Sequence, residues 1–181
     1  MKTLTLYLSG AIRDNHPEDI GWREEVIAAL HGYPVCILNP LGGKVHHPDG
    51  SWTVSGIPSK ASVIVAHDFW AVDHSDIIVT NFRALSQKYP NIGTLIEFGR
   101  GTARGCLMYS IIDPDYTGHE NTKMFQLHPF IELNSAAIFN TVAECVTFLR
   151  SHLQVLSGFD PHFKGDGAPS GLNPFYGAAN K

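Results

Sequence analysis

Two hydrophobic periods take turns along this chain. Residues 3–9 are dense in β-formers and stop at Gly10, which predicts a first strand. Pro17, Glu18 and Asp19 then open a helix, with proline early and acids in the first turn. Its apolar stripe is Trp22, Val26, Ile27 and Leu30, and Gly32 ends it. Residues 34–38 predict a second strand, closed by Asn39-Pro40. Glycine, proline, histidine and aspartate fill 41–58, which reads as one long loop. Residues 60–74 return to helical spacing. Residues 76–82 form a short continuous apolar run of the kind found in buried parallel strands. A polar stretch over 83–91 precedes a helix over about 94–104 and a buried strand over 106–112. After a polar loop, residues 130–139 should hold a last strand. Residues 141–156 should form an amphipathic helix with Val142, Cys145, Val146, Leu149 and Leu153 on one face.

Strands that alternate with helices imply an α/β fold, here a doubly wound, mainly parallel five-stranded sheet with helices on both faces, of flavodoxin-like or Rossmann-like type. Residues 1–156 make one domain, and 157–181 make an irregular tail rich in glycine, proline and aromatics. In such folds ligands bind beyond the carboxyl ends of the strands, where the strand order reverses. The loops at 9–16 and 82–93 should meet there.

Composition narrows the function classes. The chain has 181 residues, 44% hydrophobic and 17% charged, enough for one sizeable core. Its net charge of −4 and the lack of a basic run leave no footprint for a nucleic acid polymer. No apolar stretch approaches the ~20 residues of a membrane span. Cys36, Cys106 and Cys145 are widely spaced in apolar runs, as reduced core cysteines of a cytoplasmic protein would be. The ten histidines show no metal-ligand spacing, so neither a metal nor a cofactor is expected.

Four places carry candidate chemistry. Glu97 follows Gly93-Thr94 in what should be the first turn of a helix, where the dipole would keep a carboxylate ionised. It suits a nucleophile, or simply complements the dipole. Asp68 shares a helix face with Ile64, Val65, Ala71 and Val72, which should point inward. An unpaired buried carboxyl holds its proton and suits a proton donor. A cap on a neighbouring element would serve as well. Tyr7 alternates with Leu6 and Leu8, so its hydroxyl faces one side of the sheet near the strand end and could orient a carboxylate. Ser9 and Gly10 would leave backbone N–H groups near a ligand, and Arg13 could meet a phosphate or carboxylate. Asn91 could bond a sugar hydroxyl or merely turn the chain.

Taken in order, Tyr7-Leu8-Ser9-Gly10, Trp22-Arg23, Asn39-Pro40, Asp68 with Asp76, and Gly93-Thr94 followed by Glu97 and Gly99 resemble the nucleoside 2-deoxyribosyltransferase family over residues 4–110. The resemblance implies that Glu97 attacks the anomeric carbon, Asp68 contacts the leaving base and Tyr7 positions Glu97. It implies that Ser9, Gly10, Ile12, Arg13, Asn91, Gly93 and Thr94 bind a small nucleoside or nucleotide, with a second base as possible acceptor. It also implies a homo-oligomer in which a neighbouring subunit lends an asparagine and a hydrophobic residue; Asn121 and Met124 lie in a plausible segment, and Tyr176 is a candidate for the family's C-terminal tyrosine.

Gly10-Ala11-Ile12-Arg13 resembles the loop of a subgroup that hydrolyses deoxynucleoside 5′-monophosphates. Asp14-Asn15 stand where that subgroup has glycines. Asn91 stands where transferases often carry aspartate and the hydrolases serine. Three expectations therefore stand side by side: a transferase that passes the sugar to a base, an N-glycosidase that passes it to water, and a non-catalytic nucleotide-binding module. Trp52 and His46-His47 would suit stacking on a base.

Overall fold

The computed structural model describes residues 3–12, 17–47, 51–83, 91–112 and 128–158. In chain order the elements are β1 (Leu4–Gly10), α1 (Pro17–Ala29), β2 (Val35–Leu38), β3 (Lys44–His46), β4 (Trp52–Val54), β5 (Ile57–Ser59), α2 (Ala61–Asp73), β6 (Ile77–Asn81), α3 (Ile92–Arg104), β7 (Leu107–Ile111), α4 (Pro129–Glu132), β8 (Ala137–Phe139) and α5 (Val142–Ser157). The main sheet runs β2-β1-β6-β7-β8, all parallel. This is a doubly wound order whose reversal lies between β1 and β6.

Alternation along the strands splits the core in two. Leu6, Leu8, Ile77, Val79 and Ile111 face Trp22, Val26 and Leu30 of α1 and the apolar stripe of α5. The α5 stripe is the one its periodicity predicts, since Val142, Cys145, Val146, Leu149 and Leu153 are all buried. Tyr7, Ile78 and Met108 face the other way, towards Ala71 and Val72 of α2 and Phe98 of α3. That second face carries the candidate site. α3 lies close on it because Gly101 has no side chain. A Cβ there would run into Ile78 Cδ1 and stand 3.0 Å from Met108 Sδ. Gly101→Val is therefore expected to cost about 1–3 kcal/mol by overpacking, read as a lower urea midpoint. A parent-like midpoint would mean that α3 shifts freely.

Several expectations need correction. Residues 41–58 are not one loop. They form a three-stranded antiparallel sheet, β3-β4-β5. Each strand is three residues long, too short for its period to stand out among glycines and prolines. Residues 130–139 hold α4 before the short β8. Ile27 and Val65 face outward, and Cys36 is exposed. α3 begins at Ile92, two residues earlier than expected, after Asn91 in the left-handed region (φ 46°). Glu97 consequently sits in the second turn, not the first. No described helix is long and apolar enough to cross a membrane.

Candidate active site

β1 delivers two hydroxyls to one carboxylate. Tyr7 and Ser9 are two residues apart on a strand, so both side chains leave the same face of the sheet. That face is covered by α3. The Tyr7 hydroxyl donates to Glu97 Oε1 at 3.0 Å, and the Ser9 hydroxyl donates to Oε2 at 2.5 Å. Tyr7 and Ser9 are fully buried, whereas Glu97 is partly exposed. The arrangement fixes the plane of the carboxyl group in a residue that stays partly exposed.

The protonation of Glu97 reflects a contest. Burial pushes its carboxyl above the ordinary range, and the negative charge of Asp68 adds to that. The hydrogen bonds from Ser9 and Tyr7 and the positive charge of Arg23 pull it back down. Burial prevails. The expected dipole-stabilised carboxylate is thus corrected: hydroxyl donors hold this group, and its surroundings favour the neutral form. The Tyr7 phenol is raised as well, chiefly by burial and then by Glu97 beside it, so it stays a donor.

Asp68 lies on α2 near enough for its charge to act on Glu97, Tyr7 and Arg23. It is not the unpaired acid that the helix face implied. Lys44 of β3 donates to its Oδ1, and the ring of His67 stands 3.4 Å from the same oxygen. α2 and α3 are locked together by a fork from Arg100 to Asp73, Nε–Oδ1 2.7 Å and Nη2–Oδ2 2.6 Å. That fork fixes the helix bearing Glu97 against the helix bearing Asp68.

Arg23 received no role from the sequence, yet it is wholly buried. Its guanidinium donates to the carbonyls of Leu8 (3.3 Å), Gly10 (2.8 Å), Ala11 (3.1 Å) and Asp19. Burial lowers its pKa to about 10. One signal pointed to it: Arg23 stands three residues before Val26 and seven before Leu30, on the inward face of α1. Lys44 gave no such signal.

The remaining candidates divide. Gly10 lies in the β1–β6 ladder opposite Asn81, and a Cβ on it would stand 3.1 Å from Trp22 Cζ2 and 3.3 Å from Arg23 Nη2. Its smallness serves packing at the strand end, and the contribution of Ser9 is its hydroxyl. Gly93 is exposed with open space where a Cβ would go, so no close approach depends on it. Asn91 Nδ2 and Thr94 Oγ1 are buried with no hydrogen-bond partner among the described residues. Ile12 follows β1, partly buried. Arg13, Asp14, Asn15, Asn121, Met124 and Tyr176 lie outside the described residues, as do the side chains of His46 and Trp52. His47 faces Thr53 across the small sheet, Nε2–Oγ1 3.1 Å.

No protein-family model matches the chain, and no curated protein matches its sequence. Solved structures do match. A 2-desoxiribosyltransferase from Leishmania mexicana superposes with a TM-score of 0.57 at 16% identity, over 82% of this chain and 98% of that one. A conserved protein from Enterococcus faecalis gives 0.58 at 11% identity, over 83% and 99%. A CMP N-glycosidase from Clostridium botulinum gives 0.50 at 14% identity, over 82% and 98%. The fold is therefore one shared with a deoxyribosyltransferase and a nucleotide N-glycosidase, the two kinds of protein whose motifs the sequence resembles.

Proposed function

We propose that this protein cleaves the N-glycosidic bond of a deoxynucleoside by covalent catalysis on Glu97 and passes the sugar to another base. The observation that carries this reading is the double anchoring of Glu97 by Tyr7 and Ser9 at the carboxyl end of β1, beside the reversal in strand order. A nucleophilic carboxylate must present one lone pair to the anomeric carbon while the rest of the group is held still. Two hydroxyl donors do this without a formal charge that would quench the nucleophile.

In the first step a Glu97 oxygen bonds to C1′ as the C1′–N bond breaks. The departing base keeps that electron pair and takes a proton from solvent, while Asp68 engages the base. In the second step a nitrogen of the acceptor base bonds to C1′, gives up its proton to solvent and frees the Glu97 carboxylate. Asn91 and Thr94, whose buried polar atoms have no partner among the described residues, would meet sugar hydroxyls.

A second reading replaces the acceptor base by water. It is favoured by the likeness to a CMP N-glycosidase and by Gly10-Ala11-Ile12-Arg13, whose arginine would meet a 5′-phosphate. One incubation separates the two. Deoxynucleosides and their 5′-monophosphates are offered with and without a free second base and resolved by chromatography. A new nucleoside that forms only when the second base is present is the expected result. Free deoxyribose or its phosphate assigns the hydrolase instead. No release of any base counts against both and leaves a binding module.

A further inference from the structure

The small antiparallel sheet reaches the candidate site through one side chain. After β2, the backbone N–H of Leu41 donates to Asn39 Oδ1 at 3.0 Å and the backbone N–H of Lys44 donates to the carbonyl of Leu41 at 3.0 Å. This turn carries the chain from the carboxyl end of β2 into β3. Gly43 sits there at φ +71°, and its carbonyl accepts from the backbone N–H of Ser55 at 2.6 Å. The result is that Lys44, only 1% exposed, is closed off from solvent against Asp68, which is 16% exposed. The ammonium and the His67 ring both approach Oδ1. Oδ2 carries neither contact.

A buried ammonium is costly unless its partner is fixed. Its attraction in turn fixes the partner. A carboxylate that is ion-paired through one oxygen accepts hydrogen bonds on the other and donates none. Lys44 thus ties β3 to α2 through Oδ1 of Asp68 and leaves Oδ2 without either contact.

Resting on the N-glycosidic reading above, we propose that Lys44 is a positioning residue that presents Asp68 as an acceptor-only carboxylate, and that the site thereby selects nucleosides whose base bears an exocyclic amino group. Such a base turns N–H bonds towards Oδ2. Its oxo counterpart turns a carbonyl lone pair towards the same oxygen, and the two repel. An aminated base that takes a proton from solvent on the neighbouring ring nitrogen is cationic before the glycosidic bond breaks. The Asp68 carboxylate stabilises that cation, and the base leaves neutral because it keeps the electron pair of the bond. No proton needs to come from Asp68.

The test is a comparison of matched pairs: deoxycytidine with deoxyuridine, and deoxyadenosine with deoxyinosine, each also as the 5′-monophosphate. The quantity read is the amino-to-oxo ratio of kcat/KM. Within the pair that the enzyme cleaves, the expected ratio favours the amino base by about tenfold to a hundredfold, the size of one charge-assisted hydrogen bond. In Lys44→Met this ratio should narrow at least fivefold, because the intrinsic lability of each bond cancels between variant and parent. Lys44→Arg, which keeps the charge, should restore most of it. A ratio that Lys44→Met leaves unchanged overturns the proposal, since a merely structural tie would lower both activities together. Should Lys44→Met not fold, Asp68→Asn carries the same comparison, and its amide should move the ratio towards the oxo base. A parent enzyme that prefers the oxo base also overturns the proposal. Failure to release any base overturns the N-glycosidic reading together with this one, whereas release without amino preference overturns this one alone.

Discussion

Glu97→Gln is expected to abolish turnover and, at the same time, to raise the melting temperature. The loss should be on the order of 10³-fold or more if Glu97 is the nucleophile proposed above. The gain in stability follows from burial. A group whose carboxyl is pushed up in the folded state contributes most at low pH, and the contribution is lost as pH rises through the folded value. At about pH 4 parent and variant should therefore melt alike, since the carboxyl is neutral in both states of the parent. At pH 7 to 8 the parent carries a buried charge that the amide does not. A tenfold displacement of the proton equilibrium is worth about 1.4 kcal/mol, and each kcal/mol moves the midpoint of a chain of this size by roughly 2–4 °C. Thermal melts of both proteins at the two pH values check the sign. A variant that melts below the parent at pH 7 would refute the account of Glu97 as a group whose charged form burial destabilises. The same contest sets the acid limb of kcat/KM, which should rise above the ordinary carboxylate range. Ser9→Ala removes one of the interactions that pull Glu97 down, so that limb should move to higher pH.

The cost of an ionised Glu97 follows from the way the site is built. The second face of the sheet buries Tyr7, Ile78 and Met108 under α2 and α3, and Glu97 and Asp68 sit in that same layer. Two carboxyl groups placed in one low-dielectric layer raise each other's cost. The molecule answers with neutral donors on Glu97 and a buried cation on Asp68. The two acids consequently take different environments, which is how a pair of like groups comes to hold different roles.

How much of this was legible beforehand depends on the length of each signal. The parallel strands, α1 and α5 were readable because buried strands give continuous apolar runs and long helices repeat their stripe several times. The Tyr7–Glu97 contact was foreshadowed by strand alternation, which fixed the face Tyr7 points to. The position of Glu97 in its helix was misjudged by two residues, which moves it from the first turn into the second. Ile92 and Gly93 carry no start signal, and the turn into α3 is made by Asn91 in a left-handed conformation. Lys44 stayed hidden because strands of three residues have no period of their own; their register comes from partners across the sheet. Arg23 was visible as a charge on an apolar stripe. Its role was not, because the acceptors are backbone carbonyls, which no sequence displays.

Arg23→Met should be the most destabilising change at the site that leaves Glu97 in place, at about 3–5 kcal/mol. Two effects oppose each other. Methionine removes the cost of burying a guanidinium, a cost evident in the pKa lowered to about 10. It also takes the guanidinium donors from the carbonyls of Leu8, Gly10 and Ala11 at the largely buried end of β1. Each buried acceptor left unsatisfied costs about 1–3 kcal/mol, so three of them outweigh the gain. The loss should appear as a drop in melting temperature on the order of 10 °C. Arg23→Lys should fall between, because a lysine offers three donors from a single point where the arginine fork spreads five over a plane. The kinetic consequence has its own sign. Arg23 is one of the groups that pull the Glu97 carboxyl down, so the acid limb of any residual activity in the lysine variant should stay near that of the parent, while in the methionine variant it should move to higher pH. A methionine variant that melts with the parent would mean that the carbonyls at the end of β1 find other donors, and the rigid placement of Tyr7 and Ser9 would then need a different cause.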